Sequence, residues 1–296
     1  MNTSHFTGFT YSPAIAKEEG VTRRDPSPVI NVDGLYHAWY SKSTTARHGF
    51  SATVWHATSE DGRRWTEEAE AIGRGPAGSF RACGVFTPTI LTAAGKYYIY
   101  FTAMPHEWFE HPQTTRGAIG VAHSSSPFGP WEVEDAPVLQ CSREPQAFDS
   151  LRVDDACIIV RGGQYWMYYK GRAMAEGADT TKMGLATARE PLGPWSKHED
   201  NPVLDSGHEV CVWPHGTGVA CLVCDVGPQG NTLQYSSDGV NFSKAANTVP
   251  PKAPGPFRAD DFVDGPGPGI TWGLAMVNDR TWPYLVRFDC NLASEH

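Results

Sequence analysis

Polar and apolar positions alternate in short runs along this chain, and each run stops at glycine, proline or an Asp-Gly pair. That period of two, bounded by turn residues, predicts β-strands throughout. Helical spacing is nearly absent. The strands come in a recurring unit: an apolar strand, a glycine turn, an aromatic-rich strand, a third strand of the type A-x-S or A-T-x, then a turn and a Trp. Three copies are clear: PVINVDGLYHAWYSKS with VWHATSEDGRRW, PTILTAAGKYYIYFTAM with IGVAHSSSPFGPW, and CIIVRGGQYWMYYKGR with MGLATAREPLGPW. Two are looser: VCVWPHGTGVACLVCDV with TLQYSSDGVNF, and DDFVDGPGPGITWGLAMVN with PYLVRFD.

The turn glycines Gly34, Gly95, Gly163, Gly218 and Gly269 stand 61, 68, 55 and 51 residues apart. A repeat of that length holds about four strands, and five such sheets predict an all-β fold, a five-bladed β-propeller around a central channel. A β-sandwich does not account for the repeat. Residues 1–20 read as an N-terminal lead-in and residues 21–296 as a single propeller domain, with PKAPGPF (251–257) connecting two blades.

Composition narrows the class. The 296 residues are 40% apolar and include 10 Trp, 11 Tyr and 13 Phe, enough for a large β core. The formal charge of −9 argues against a nucleic-acid partner and supplies no membrane-binding patch. No apolar run approaches the roughly 20 residues needed to span a bilayer. The N-terminal MNTSHFTGFTYSPA lacks a basic segment followed by an apolar one. The expected location is therefore cytoplasmic, or periplasmic for a form whose signal has been removed. The seven cysteines, including Cys221 and Cys224 inside VACLVCDV, read as buried thiols of a reducing compartment.

In a propeller the first strand of each blade lies nearest the axis. The copies align on the position just after the glycine turn: Tyr36, Tyr97, Tyr165, Val219 and Thr271. Counting back eleven residues gives Asp25, Phe86, Asp154, His208 and Asp260. Asp154 is followed by Asp155, and His208 by Glu209. In a regular strand only one of each pair faces the channel. The count favours Asp154 and His208, but a bulge or one-residue slip would select the other member. Trp39, Tyr100 and Tyr168 in the second strands read as core packing.

Carboxylates meeting across a funnel suit glycoside hydrolysis. An inverting enzyme needs a base for water and an acid for the leaving oxygen, about 6.5–9.5 Å apart. A third carboxylate can tune the acid. A carboxylate near His208 would favour its charged, proton-donating form. Arg24, Arg152, Lys170 and Arg172 flank these positions. They are candidates to bind sugar hydroxyls or a charged substituent, or to hold the carboxylates ionised.

EEGVTRRDPSPVI, ATSEDGRRWTE, GVFTP, FDSLRVDDACII, GQYWMYYKGR, TKMGLATA and NPVLDSGHEVCVWPHG resemble glycoside hydrolase family 117, related to family 43. The resemblance runs from about residue 18 to the end. It implies a five-bladed propeller and exo-acting, inverting release of 3,6-anhydro-L-galactose from the non-reducing end of neoagaro-oligosaccharides. It also implies Asp25 as base, Asp154 or Asp155 as modulator and the His208-Glu209 pair in the acid region, with the histidine proposed as acid in that family. Thr87 of GVFTP joins Arg24, Arg152, Lys170 and Arg172 as a substrate-binding candidate.

No cofactor is required and no metal-ligand spacing stands out, although such funnels have room for a divalent cation. The expected partner is an oligosaccharide. A homodimer is the family's expectation, but the N-terminal segment is shorter than the exchanged extension of that family. GSFRACGVFTP lacks the acidic residues the resemblance would place there. The competing readings are an arabinofuranosidase or xylosidase of the family 43 type, a propeller phosphorylase, and a non-catalytic carbohydrate-binding propeller.

Overall fold

Each turn read in the sequence reverses the chain between neighbouring antiparallel strands, because the alternating runs have one face to bury and pair locally to do so. The computed structural model describes residues 1, 3, 5–44, 50–107, 114–174, 176–224, 226–277 and 281–294. In the third repeat Arg152–Arg161 pairs with Gln164–Arg172, then Lys182–Ala188, then the short Ser196–Lys197. The second repeat has the same order: Gly84–Ala93, Lys96–Met104, Ala118–Ser124, Glu132–Val133. The first repeat forms a five-stranded sheet. Thr22–Arg24 and Ile30–Val32 both pair with Leu35–Ser43, followed by Thr53–Ser59 and Thr66–Ile72.

The remaining strands make one eight-stranded sheet. One part is a meander of Cys211–Gly216, Gly218–Val223, Thr232–Ser236 and Ser243–Asn247. The other contains Lys252–Pro256, Gly267–Val277 and Tyr284–Ala293. The expected lead-in supplies a strand here too: Thr10–Ile15 lies antiparallel to the C-terminal Tyr284–Ala293. Two residue pairs, His215 with Pro268 and Gly216 with Gly267, join the two parts. The described residues thus form four hydrogen-bonded sheets, two of the predicted units being continuous through this short ladder. A side chain at Gly267 would lie 2.2 Å from the Pro214 carbonyl carbon, so glycine permits the junction. Among the described residues the only helical turn is a 3₁₀ segment, Ala178–Thr180.

The second strands carry the core. Trp39, Tyr100 and Tyr168 are fully buried, and the two tyrosine hydroxyls tie one sheet to the next. Tyr100 donates to the Pro191 carbonyl at 2.7 Å and Tyr168 to that of Gly239 at 2.8 Å. Trp213 is buried among Cys211, Ala220 and Leu222, and His215 lies near the far end of its strand against Tyr235. All seven cysteines are free thiols; Cys221 and Cys224 are both buried.

One polar pair sits inside this apolar packing. His37 Nδ1 lies 3.0 Å from His56 Nε2, and both rings stack with Trp39. Burial pushes His37 down to about 4, and burial together with His37 pushes His56 down to about 3. Both rings are neutral in the fold, whereas the unfolded chain takes up protons near pH 6.5. The contribution of this pair is fully present above that pH and is lost as pH falls toward 4. Thermal unfolding from pH 7 to pH 4.5 should therefore show a falling Tm, and the fall should be shallower in His56→Gln. An equal slope in both proteins would contradict this account.

Candidate active site

The inner strands share a local irregularity. Non-glycine residues rarely adopt positive φ, and doing so costs roughly 1 kcal/mol or more. Here Asp25, Thr87, Asp155, Glu209 and Ala253 have φ of 50°, 46°, 50°, 54° and 45°. They occupy equivalent places in five successive inner segments. Strand register breaks around three of them, between Phe86 and Thr89, Asp154 and Cys157, and Lys252 and Gly255. Such bulges re-aim a side chain. All five residues line one open cavity.

Side chains from the second strands hold the irregularity in place. The Ser41 hydroxyl accepts from the Thr87 N–H at 2.8 Å and donates to Asp25 Oδ2 at 3.3 Å. Thr102 repeats the arrangement one sheet on, accepting from the Asp155 N–H at 3.2 Å and bonding the Thr87 hydroxyl. The Cys224 thiol lies 3.3 Å from the Glu209 carbonyl and 3.4 Å from that of Pro251. Ser41 and Thr102 therefore each link their own sheet to the bulge of the next, while Cys224 joins two inner segments of the continuous sheet.

The charges are unequal. Asp25 is bonded by Arg24 at 2.6 Å. Asp155 is bonded by Lys170, which also lies 3.4 Å from Asp154. Burial alone would raise Asp155, but the Lys170 ammonium outweighs it and leaves this carboxyl below the usual range. Asp154 goes the other way: burial pushes it up to about 6 against the pull of Lys170. Burial and then the neighbouring Asp25 raise Glu209, whose Oε2 is buried without a hydrogen bond and 3.9 Å from Lys252 Nζ. Burial, followed by Lys170, pushes His208 down to about 4.

Comparison with known proteins places this geometry. The profile "Glycosyl hydrolases family 43" matches residues 21–156. A solved structure of Zg3597, a family 117 glycoside hydrolase produced by the marine bacterium Zobellia galactanivorans, is 34% identical. The match covers 97% of this chain and 91% of that one, with a TM-score of 0.88. This chain belongs to glycoside hydrolase family 117. Families 43 and 117 share a propeller fold, and the chain is a glycoside hydrolase by that membership. More distant structures share only the fold. Sucrose-6-phosphate hydrolase from Lactobacillus gasseri is 13% identical at TM-score 0.69, over 95% of this chain and 61% of that one. Fructan 1-exohydrolase IIa from Cichorium intybus is 14% identical at 0.65, over 95% and 56%. No curated protein matches the chain.

Within this family 117 chain the eleven-residue count reaches the special position only in the first repeat. Asp25 stands eleven residues before Tyr36, but Thr87, Asp155 and Glu209 stand ten before Tyr97, Tyr165 and Val219. The segment Asp25-Pro26-Ser27-Pro28-Val29 between two strands of the first sheet holds the additional residue. The positive-φ members are therefore Asp155 and Glu209, not Asp154 and His208. His208 still lines the cavity beside Glu209, and so does Arg24. Asp154, Arg152, Lys170 and Arg172 line an adjoining cavity.

Asp260 is a correction. Its carboxylate is taken by Arg258 at 2.6 and 2.7 Å, outside both cavities. The fifth inner strand is Lys252–Pro256, within the stretch read as a connection, and Ala253 fills the equivalent place. The K-A-P run there parallels R-D-P and F-T-P, a signal that could have revealed it. Sequence reasoning also missed Ser41 and Thr102, which pair across the ladder with Arg24 and Phe86. Among the described residues, no group of three or more His, Cys, Asp or Glu is arranged to hold a metal ion. Asp25 and Asp155 are instead bonded by Arg24 and Lys170.

Thr102→Val leaves the shape nearly unchanged but strands the Asp155 N–H. Chemical unfolding should show a loss of about 1–3 kcal/mol. A change within a few tenths of a kcal/mol would mean that the bulge does not depend on this bond.

Proposed function

We propose that this protein is an exo-acting, inverting glycoside hydrolase built as a five-bladed propeller, whose two continuous units are the fourth and fifth blades. Five equivalent inner segments converge on one cavity, which supports that count. The observation that carries the mechanism is the contrast between two carboxyls there. Asp25 is oriented by Arg24 and Ser41. Glu209 is raised by burial and by Asp25, with a buried oxygen free of hydrogen bonds. Paired carboxyls in unlike environments divide the work of acid and base.

Asp25 takes a proton from a water molecule, whose oxygen attacks the anomeric carbon of the terminal sugar. Glu209 gives its proton to the glycosidic oxygen on the opposite face as that bond breaks. The configuration inverts, and solvent returns both carboxyls to their starting states. Asp155, held ionised by Lys170, orients the substrate and stabilises positive charge developing on the sugar. His208 is a neutral hydrogen-bonding group beside the acid. Its depressed affinity for protons removes the donor form at neutral pH, which favours Glu209 over the histidine as acid. The substrate proposed from the family resemblance is a neoagaro-oligosaccharide with terminal 3,6-anhydro-L-galactose.

Neoagarobiose and a panel of aryl arabinosides and xylosides, followed by reducing-sugar release, test this reading. Anhydrogalactose should appear and fall by about 10²–10⁴ in Asp25→Asn. Cleavage of pentosides alone would move the assignment to a family 43 type of substrate. Glu209→Gln should slow substrates with poor leaving groups far more than those with very good ones, and should remove the alkaline limb of the pH profile. If His208→Ala shows that selectivity and Glu209→Gln does not, the acid is His208.

A further inference from the structure

Just past the reacting groups, the inner segments carry a second set of equivalent residues. Asp25, Thr87, Asp155, Glu209 and Ala253 are followed, two residues later, by Ser27, Thr89, Cys157, Cys211 and Gly255. Two neighbouring members of that set are thiols, and the reaction proposed above uses neither. Cys157 lies where the register breaks after Asp154, and it lines the cavity that holds Asp25 and Glu209. Cys211 opens the strand Cys211–Gly216 that follows Glu209. Their exposures are 9% and 1%, so a small solute in the cavity meets Cys157 first.

The two thiols are hydrogen-bonded to each other across the boundary between the third and fourth repeats. The Val212 N–H donates to the Cys157 sulfur at 3.5 Å, and the Val212 carbonyl lies 4.0 Å from it. Arg258 donates to the carbonyl of Ile158, the residue after Cys157, at 2.7 Å. The Cys211 thiol, then the Val212 N–H and Arg258, lower Cys157 against its burial, while burial raises Cys211. The thiolate is the nucleophile in sulfur chemistry. The pair is therefore divided into an attacking sulfur on the cavity wall and a protonated one behind it. A peroxide-reactive cysteine beside a resolving one has this arrangement.

We propose that Cys157 and Cys211 are a redox site, at which hydrogen peroxide entering the cavity is reduced and the two thiols become a disulfide that switches the cavity off. The Cys157 sulfur attacks one peroxide oxygen. The S–O bond forms, the O–O bond breaks, and the leaving hydroxide takes the Cys157 thiol proton to become water. The Cys211 sulfur then attacks the sulfenic sulfur of Cys157. The S–S bond forms, the S–O bond breaks, and the departing hydroxide takes the Cys211 proton. Two thiols and one hydrogen peroxide thus give one disulfide and two waters. A disulfide draws its sulfurs to about 2.05 Å, closer than two hydrogen-bonded thiols, and pulls together the segments that carry Asp155 and Glu209. A dithiol reverses the change. The effect on turnover rests on the glycosidase reading; formation of the disulfide does not.

Reduced protein is exposed to hydrogen peroxide, and its mass and cysteine peptides are read before any assay of turnover. The parent protein should lose two hydrogen atoms and yield a peptide pair linked through Cys157 and Cys211, and a dithiol should reverse both changes. In Cys211→Ala the resolving thiol is gone, so dimedone should trap a sulfenic acid at Cys157. The site is overturned by the lack of a linked pair in the parent, or by a link through Cys83, Cys141, Cys221, Cys224 or Cys290 in its place. A Cys211→Ala protein with no dimedone adduct at Cys157 overturns it as well. Hydrolysis of neoagarobiose is read second, on the same samples. The fully linked protein should lose about ten-fold or more in kcat/KM, because small misplacements of reacting groups are costly, and the dithiol should restore it. An unchanged kcat/KM in the linked protein removes the control of the cavity. No hydrolysis by the reduced protein, with the link still formed on oxidation, removes the glycosidase reading and keeps the redox site.

Discussion

The hydrogen bonds from Ser41 and Thr102 to the backbone N–H groups of Thr87 and Asp155 are the constraint on which the site depends. A residue with positive φ on an inner strand is unfavourable by itself and interrupts the ladder it belongs to. It persists because a side chain from the preceding sheet accepts the N–H that the interruption releases. The same bond fixes the spacing between neighbouring sheets. Fold closure and side-chain aim are thus one interaction seen from two sides, and a polar residue in the second strand that looks like a minor break in an apolar run becomes part of the site's support. Strain of this kind collects at functional sites because the surrounding packing overdetermines it.

Glycine performs the matching task where no side chain fits. A Cβ on Gly255 would lie 2.0 Å from the Ser27 carbonyl oxygen, where the fifth inner strand meets the first sheet. There Val29 donates to the Pro256 carbonyl at 3.0 Å, and Arg258 donates to that of Val29 at 2.9 Å. These bonds between the fifth inner strand and the first sheet are backbone to backbone, and Ala253 and Pro254 line the cavity beside them without contributing a charged group. The ionisable groups come from the first, third and fourth repeats, and the fifth supplies a small apolar wall.

The electrostatics follow from burial acting on groups with different partners. Asp155 and Glu209 occupy equivalent backbone positions, yet one is lowered and the other raised. The difference is Lys170, which pairs across the ladder with Asp154 and bonds Asp155, while the nearest ion pair of Glu209 among the described residues is with Lys252 at 3.9 Å and Asp25 raises it. The first cavity therefore has a carboxyl suited to hold a proton beside one suited to stay charged. The neighbouring cavity gathers guanidinium groups instead. The two spaces share Arg24, Thr87, Asp155 and His208.

Alternation, turn glycines and the repeat spacing determined the all-β character, the strand order within each unit and the burial of Trp39, Tyr100 and Tyr168, because these depend on neighbours along the chain. The same pattern brought Asp25, the Asp154-Asp155 pair and the His208-Glu209 pair to notice, since a strand mouth is a local feature. It did not decide which member of each pair takes the positive-φ position. That choice turns on a one-residue difference between the first repeat and the next three, and on bonds from Ser41 and Thr102 that join residues far apart in sequence. Asp260 was misplaced for the same reason: with no tight turn between Lys252–Pro256 and Gly267–Val277, counting from a glycine loses its ruler. The continuity of the last two units, the N-terminal strand on the C-terminal edge and the facing of Arg152 by Arg172 were likewise decided in three dimensions. Sequence periodicity specifies which face a residue takes within a regular strand; only contacts between sheets specify where a strand stops being regular.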